Sequence, residues 1–197
     1  MRSVSKRIIL ASGSPRRREL LAGLDIPFTV DTGNTFEESF PAGTPAHDVP
    51  VLMAEGKSHG FHRALDPDEI LVTADTVVIV GRPGEEPEVL GKPHSREQAI
   101  GMLHELSGRE HEVVTAVVIR TVEREKSFSV STKVSFGVLS ENDILYYVDT
   151  YKPFDKAGAY GIQEWIGFAG ISGLEGSFYN VMGFPVYRFW RELQCFL

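Results

Sequence analysis

The sequence predicts an α/β fold built on a mixed sheet, and three observations carry that expectation. Apolar β-rich runs alternate with segments of helical period through the first half of the chain, the pattern of strands with crossover helices. Two long β-branched runs, Glu112 to Glu123 and Lys126 to Phe136, then follow each other closely and read as a hairpin. The composition, 42% apolar and 24% charged over 197 residues, suits one domain with a real core.

The elements follow in order. Arg7 to Ala11 is an apolar run stopped by Ser12-Gly13-Ser14, which reads as a buried strand. Ser14 is a natural helix cap and Pro15 fits the first helical position. Leu20, Leu21 and Leu24 then recur at helical spacing, so a helix is expected from Pro15 to Leu24. Phe28-Thr29-Val30 is a short strand, and the proline-bearing stretch Asn34 to Asp48 is a loop. Val49 to Leu65 reads as a helix carrying Lys57. Ile70 to Ala74 and Val77 to Val80 read as one buried strand interrupted by an acidic residue, Asp75. Gly81 to Glu88 is a polar turn and Ser95 to Leu106 a helix. Glu141 to Val148 is a helix capped by Ser140. The glycine-rich tail alternates loops with short apolar runs, and Val186 to Phe196 closes as a helix.

Charge and composition narrow the function. The formal net charge is -7, which disfavours a protein that grips a nucleic-acid polymer through its overall field. A small anionic ligand needs only a local cluster of cations. The single cysteine, Cys195, excludes a disulfide framework or a cysteine zinc site within one chain, and reads as a partly buried residue near the end. No apolar run reaches membrane-spanning length. The basic Met1 to Arg7 leads into an apolar stretch too short for a signal-peptide core, so a cytoplasmic location is expected. The six histidines show no metal-binding spacing and read as surface residues.

The most informative stretch is Ser12 to Arg18. A strand ends, small hydroxyl residues and a glycine follow, and a helix begins, which presents backbone N–H groups and the positive end of a helix dipole. Arg16, Arg17 and Arg18 then fill the first turn, where acidic residues belong. Phosphate oxygens would reverse that penalty, since guanidinium groups bind them bidentately. The alternative is a solvated basic face.

Asp75 lies within an apolar strand, where a carboxylate is costly unless paired or metal-bound. That makes it a candidate metal ligand or general base, with a structural cap on Thr76 as the alternative. Glu37 and Glu38 alone read as solvated surface, but with Asp75 they offer oxygen ligands to a hard divalent cation. Glu175 is a further carboxylate in an expected loop. Lys57 and Lys92 each read as surface lysines when taken alone. Gln163 ends a run of small residues, Asp155 to Gln163. It either reads a base edge with its amide or stands exposed on a packed strand. No nucleophile elbow is present.

Taken together these segments resemble the Maf family of nucleotide pyrophosphatases. The resemblance rests on Leu10-Ala11-Ser12-Gly13-Ser14-Pro15-Arg16-Arg17, Ala74-Asp75-Thr76-Val77-Val78, Gly91-Lys92-Pro93 and Leu106-Ser107-Gly108 with His111-Glu112-Val113. It continues through Asp155-Lys156-Ala157-Gly158-Ala159-Tyr160-Gly161-Ile162-Gln163 and Glu175-Gly176-Ser177. It implies a single domain over residues 1–197 with two lobes around a cleft. The sheet would be mixed, strongly bent and flanked by helices, a Maf/ITPase-like fold that is often a homodimer. It implies hydrolysis of a nucleoside triphosphate to the monophosphate and pyrophosphate, with a divalent cation, Mg2+ or Mn2+, assisting water attack at the α-phosphate. Carried over residue by residue, Asp75 takes the proton and lies near the metal, and Glu38 assists metal binding. Ser12, Arg16, Arg17, Lys57 and Lys92 hold the triphosphate, while Arg16, Thr76 and Gln163 match positions linked to base choice. The form of the Asp155 to Gln163 segment resembles the dTTP/UTP-selective branch. A 7-methyl-GTP-selective enzyme and a nucleotide-binding regulator of cell division without turnover are the competing readings. Glu37, Ser58 and Lys152 depart from the usual residues, and none of these changes removes a proposed catalytic group.

Overall fold

A computed structural model of the chain describes residues 6–81, 84 and 86–197. Most of the basic N-terminus and residues 82, 83 and 85 of the expected polar turn lie outside the described residues. The strands are β1 (Arg7–Leu10), β2 (Phe28–Val30), β3 (Glu69–Val80), β4 (Glu88–Leu90), β5 (Glu110–Arg120), β6 (Glu125–Phe136) and β7 (Ile171–Glu175). The helices are α1 (Pro15–Ala22), α2 (Val49–His59), α3 (Arg96–Leu106), α4 (Glu141–Tyr151), α5 (Trp165–Ala169), α6 (Phe178–Val181) and α7 (Val186–Leu193). One sheet runs in the order β2-β1-β3-β5-β6-β7, with β4 paired to β3 outside that path.

The sheet is mixed, as the sequence predicts. β1 pairs in parallel with β2, Ile8 opposite Phe28, and with β3, Ile8 opposite Ile70. A parallel pair needs a crossover, and α1 supplies it between β1 and β2. β4 runs antiparallel to β3 and β7 antiparallel to β6. Ile8, Ile9 and Leu10 are all buried, as befits a central parallel strand covered on both faces. β3 is continuous over 12 residues, and only Asp75 and Thr76 in its middle reach solvent.

The contacts divide the chain into two compact units, with boundaries inside β3, β5 and β6. One holds the described residues up to Asp75 with Thr115–Val130 and Gly183–Leu197; the other holds Thr76–Val114 and Ser131–Met182. In the first unit Ile9 and Leu71 pack with Phe61 and Leu65, and Ala54 of α2 packs with Ala116 and Val118 of β5. The Thr73 hydroxyl donates to the Ala54 carbonyl at 2.7 Å, tying α2 to β3. In the second unit Ser140 caps α4 as expected, within a capping box with Asp143, and Ser95, expected as the first residue of α3, is instead its cap. Arg96 grips Asp149 through two bonds of 2.6 and 2.8 Å, which joins α3 to α4.

Several expectations are corrected. α2 ends at His59 rather than Leu65, because Gly60 closes it and its carbonyl accepts from Thr35 N–H at 2.8 Å. The last residue of the expected polar turn, Glu88, is the first of β4. The glycine-rich tail holds α5, β7 and α6, and Glu175, expected in a loop, ends β7. Cys195 is exposed rather than partly buried. Among the described residues no helix is long and apolar enough to cross a membrane.

The histidines are not all at the surface. His111 is 3% exposed, its Nε2 lies 2.7 Å from the Tyr160 hydroxyl, and its ring meets Phe136 and Tyr160 edge-on. Burial lowers its pKa from 6.5 to about 4. The neutral ring is therefore kept in the folded state while the unfolded chain takes a proton below pH 6.5. Stability is complete above that pH and falls as pH drops toward 4, by about 3 kcal/mol from this group. Urea unfolding at pH 7 and 4.5 should show a smaller loss in His111→Gln than in the parent. Equal losses would remove His111 as the cause.

Candidate active site

The strand, turn and helix expected around Ser12 to Arg18 form as the sequence suggests. Ser14 caps α1 by accepting from the Arg17 N–H, and Ser12 accepts from the Ser14 N–H at 3.3 Å. No acidic residue lies in the first turn of α1. Arg17 is turned inward. Its Nε donates to the Gly183 carbonyl at 2.9 Å, and its Nη1 donates to the Ala74 carbonyl at 2.8 Å and to Ser12 Oγ at 3.4 Å. Burial holds this guanidinium below its ordinary pKa and the nearby Asp75 charge opposes that, so the group stays a cation. Arg17 thus anchors the residue before Asp75 as well as adding positive charge. Arg16 is half-buried beside it.

The centre of the first unit is a trio. Lys57 Nζ, on α2, lies 2.7 Å from Asp75 Oδ1 in the middle of β3 and 3.1 Å from Glu38 Oε1 in the 34–48 loop. Lys57 and Asp75 are 16% and 14% exposed, so their pairing is partly shielded from water, whereas Glu38 is 54% exposed. Two carboxylates therefore converge on one cationic point. Among the described residues no group of three or more His, Cys, Asp or Glu forms a protein-only metal cage. One or two carboxylates completed by substrate oxygens and water is the ordinary way to hold magnesium, so this donor set fits a hard divalent cation. Asp75 and Glu38 would be its protein ligands.

The remaining expected residues belong to the second unit. Thr76 follows Asp75 and is half-buried; Lys92 is exposed after β4. Gly158 N–H donates to the Gly91 carbonyl at 3.0 Å, which fastens the lysine turn to the Ala157–Ala159 turn. Gly158 has φ 65, and a Cβ there would come within 2.8 Å of Val78, so only glycine fits. Gln163 sits in a turn rather than on a strand. Its Oε1 is buried and has no hydrogen-bond partner among the described residues. Such an acceptor is costly to leave unmade.

Sequence reasoning missed what holds that turn. The Tyr147 hydroxyl donates to Glu164 and accepts from the Gly161 N–H at 3.0 Å, and Lys156 Nζ reaches Glu164 Oε1 at 3.0 Å. Burial and then the Glu164 bond push the Tyr147 phenol well above its usual range, so it stays a donor. The i, i+3, i+4 pattern of α4 marks Tyr147 only as core. Asn34 was likewise missed: its Nδ2 donates to the Lys57 carbonyl at 2.6 Å.

Known proteins share this chain's sequence and fold. A protein named dTTP/UTP pyrophosphatase from Bacteroides thetaiotaomicron is 46% identical over 188 residues, 95% of each chain. One of the same name from Parabacteroides distasonis is 46% identical over 190 residues, 96% of each chain. One from Porphyromonas gingivalis is 47% identical over 192 residues, 96% of this chain and 94% of that one. Among solved structures, a HAM1 protein from Coxiella burnetii shares the fold with a TM-score of 0.51 at 14% identity, covering 96% of this chain and 98% of that one. Residues 7–196 match the family described as Maf-like protein, and the chain belongs to that family.

Proposed function

We propose that this protein is a nucleoside triphosphate pyrophosphatase acting on dTTP and UTP. The observation that carries the chemistry is the ammonium of Lys57 held between Asp75 and Glu38 at 2.7 and 3.1 Å. The relatives' shared name supports the substrate class. In the reaction, water attacks the α-phosphorus, the bond to the bridging oxygen breaks, and pyrophosphate departs with that electron pair. Asp75 accepts the proton from the water. A carboxylate has about four lone-pair sites, so its bond to Lys57 leaves capacity for that water. Lys57, Arg16, Lys92 and the Ser12 hydroxyl offset phosphate charge, and Arg17 adds charge while fixing the Ala74 backbone. A divalent cation at Asp75 and Glu38, Mg2+ or Mn2+, would supply Lewis-acid neutralisation of the triphosphate.

Gln163, Thr76 and Arg16 are the groups for base choice. Uracil and thymine present an N–H flanked by carbonyls, and the buried Oε1 of Gln163 is an acceptor for such a donor. The single domain is proposed to act in the cytoplasm as a homodimer. Pyrophosphate release from a panel of triphosphates, with and without Mg2+ or Mn2+, tests the reading. Metal-dependent release from UTP and dTTP, with CTP and 7-methyl-GTP slower, is expected. Faster release from 7-methyl-GTP would overturn the base assignment, and no release from any triphosphate would overturn the enzyme.

A further inference from the structure

Two glycines bracket Lys57 at the end of α2, in Gly56-Lys57-Ser58-His59-Gly60. Gly56, inside the helix, costs it propensity, while Gly60 closes it. The structure shows what they make room for. A Cβ on Gly56 would lie 2.3 Å from Cε2 and Cζ of Phe36, and a Cβ on Gly60 would lie 2.7 Å from Phe36 Cβ and from Asn34 Oδ1. Phe36 therefore lies directly on the backbone of the last turns of α2. Its own backbone is pinned there: Asn34 Oδ1 accepts from Phe36 N–H at 2.8 Å while Asn34 Nδ2 donates to the Lys57 carbonyl at 2.6 Å. Thr35 N–H donates to the Gly60 carbonyl at 2.8 Å. Two residues beyond Phe36, Glu38 meets Lys57 at 3.1 Å.

We propose that Phe36, seated in the Gly56–Gly60 notch and tied by Asn34, is the positioning residue that places Glu38 on Lys57. The physical need is plain. Glu38 stands on a loop and is more than half exposed, so its pairing with Lys57 alone contributes little against the entropy of an exposed side chain and loop. An aromatic anchor two residues away removes most of that freedom beforehand. The lysine and the glutamate then share one support, the end of α2, which keeps their separation constant. The importance of this wedge for turnover rests on the reading of Glu38, Lys57 and Asp75 as the reacting centre.

The test is Gly56→Ala, with Phe36→Ala as a second variant that adds no atom. Alanine favours the helix, so a loss cannot come from helix propensity. The first readout needs neither nucleotide nor metal: the rate at which an amine-acylating reagent modifies Lys57, followed by mass spectrometry. Both variants should raise it about 2- to 5-fold as Glu38 leaves the ammonium. The second readout is UTP turnover, with kcat/KM expected to fall about 10-fold or more from misplacement of the pair. Adding Phe36→Leu to Gly56→Ala makes room for the new methyl and should restore part of both. Unchanged Lys57 reactivity in both single variants would overturn the wedge. Raised reactivity with parental turnover would leave the wedge standing and overturn its role in the reaction. If Glu38→Gln also turns over at the parental rate, the failure lies in the reading of the centre and not in the wedge.

Discussion

Asp75→Asn is expected to lower UTP turnover by roughly 100- to 10,000-fold while nucleotide binding stays measurable. Asparagine keeps the shape of the side chain and an oxygen that accepts from Lys57. What it loses is the charge and the ability to take a proton from water. The strand around it is held independently, through Arg17 on the Ala74 carbonyl and the buried Thr73 hydroxyl on Ala54. Lys57 also keeps Glu38 at 3.1 Å, so the ammonium is not left without a counter-charge. The fold should survive, and the effect should lie in kcat. Steady-state rates with UTP, beside calorimetric binding of a non-hydrolysable analogue, separate the two. A variant that hydrolyses UTP as fast as the parent would show that Asp75 is not the base. A parent that binds but does not turn over would favour a regulator.

Much of this site is legible in the sequence because its residues violate local rules. An aspartate inside Ile70 to Val80 and three arginines in the first turn of α1 are poor choices for stability, and each lies where the first unit gathers charge. What the sequence conceals is distance in space. Glu38 and Lys57 lie 19 positions apart on a loop and a helix, and nothing in the periodicity of either announces a 3.1 Å contact. Most strands and helices up to α4 are legible because they carry local signals: caps at Ser14 and Ser140, and long apolar runs. The tail is not, because its elements are short and depend on partners elsewhere. Gly137 N–H donates to the Gly170 carbonyl at 2.8 Å beside β7, and Asn180 of α6 donates to the Val113 carbonyl at 3.0 Å. An element of 4 or 5 residues made by such contacts leaves no period of its own. Polarity marks His111 as a surface residue in the sequence, while its place on β5 puts it against Phe136 and Tyr160.

Arg17 separates charge from geometry. Arg17→Lys should lose most of the activity and also lower stability, by about 2 to 3 kcal/mol, although it preserves the positive charge. The guanidinium spans two carbonyls, Gly183 at 2.9 Å and Ala74 at 2.8 Å, from two different nitrogens of one plane. A lysine ammonium is one point on a flexible stem and cannot hold both, so a partly buried carbonyl loses its donor. The consequence reaches the chemistry because Ala74 immediately precedes Asp75. Freeing its carbonyl loosens the backbone that aims the carboxylate, and a displacement on the order of 1 Å there costs about 100-fold in rate. Phosphate binding predicts a different pattern. If Arg17 served only to hold the triphosphate through the paired donors of its guanidinium, Arg17→Lys would raise KM, keep kcat and leave the urea midpoint unchanged. Measuring kcat, KM and the urea midpoint on one preparation decides between the two. A fall in kcat together with the midpoint assigns Arg17 to the frame of the site, and a rise in KM alone assigns it to the substrate.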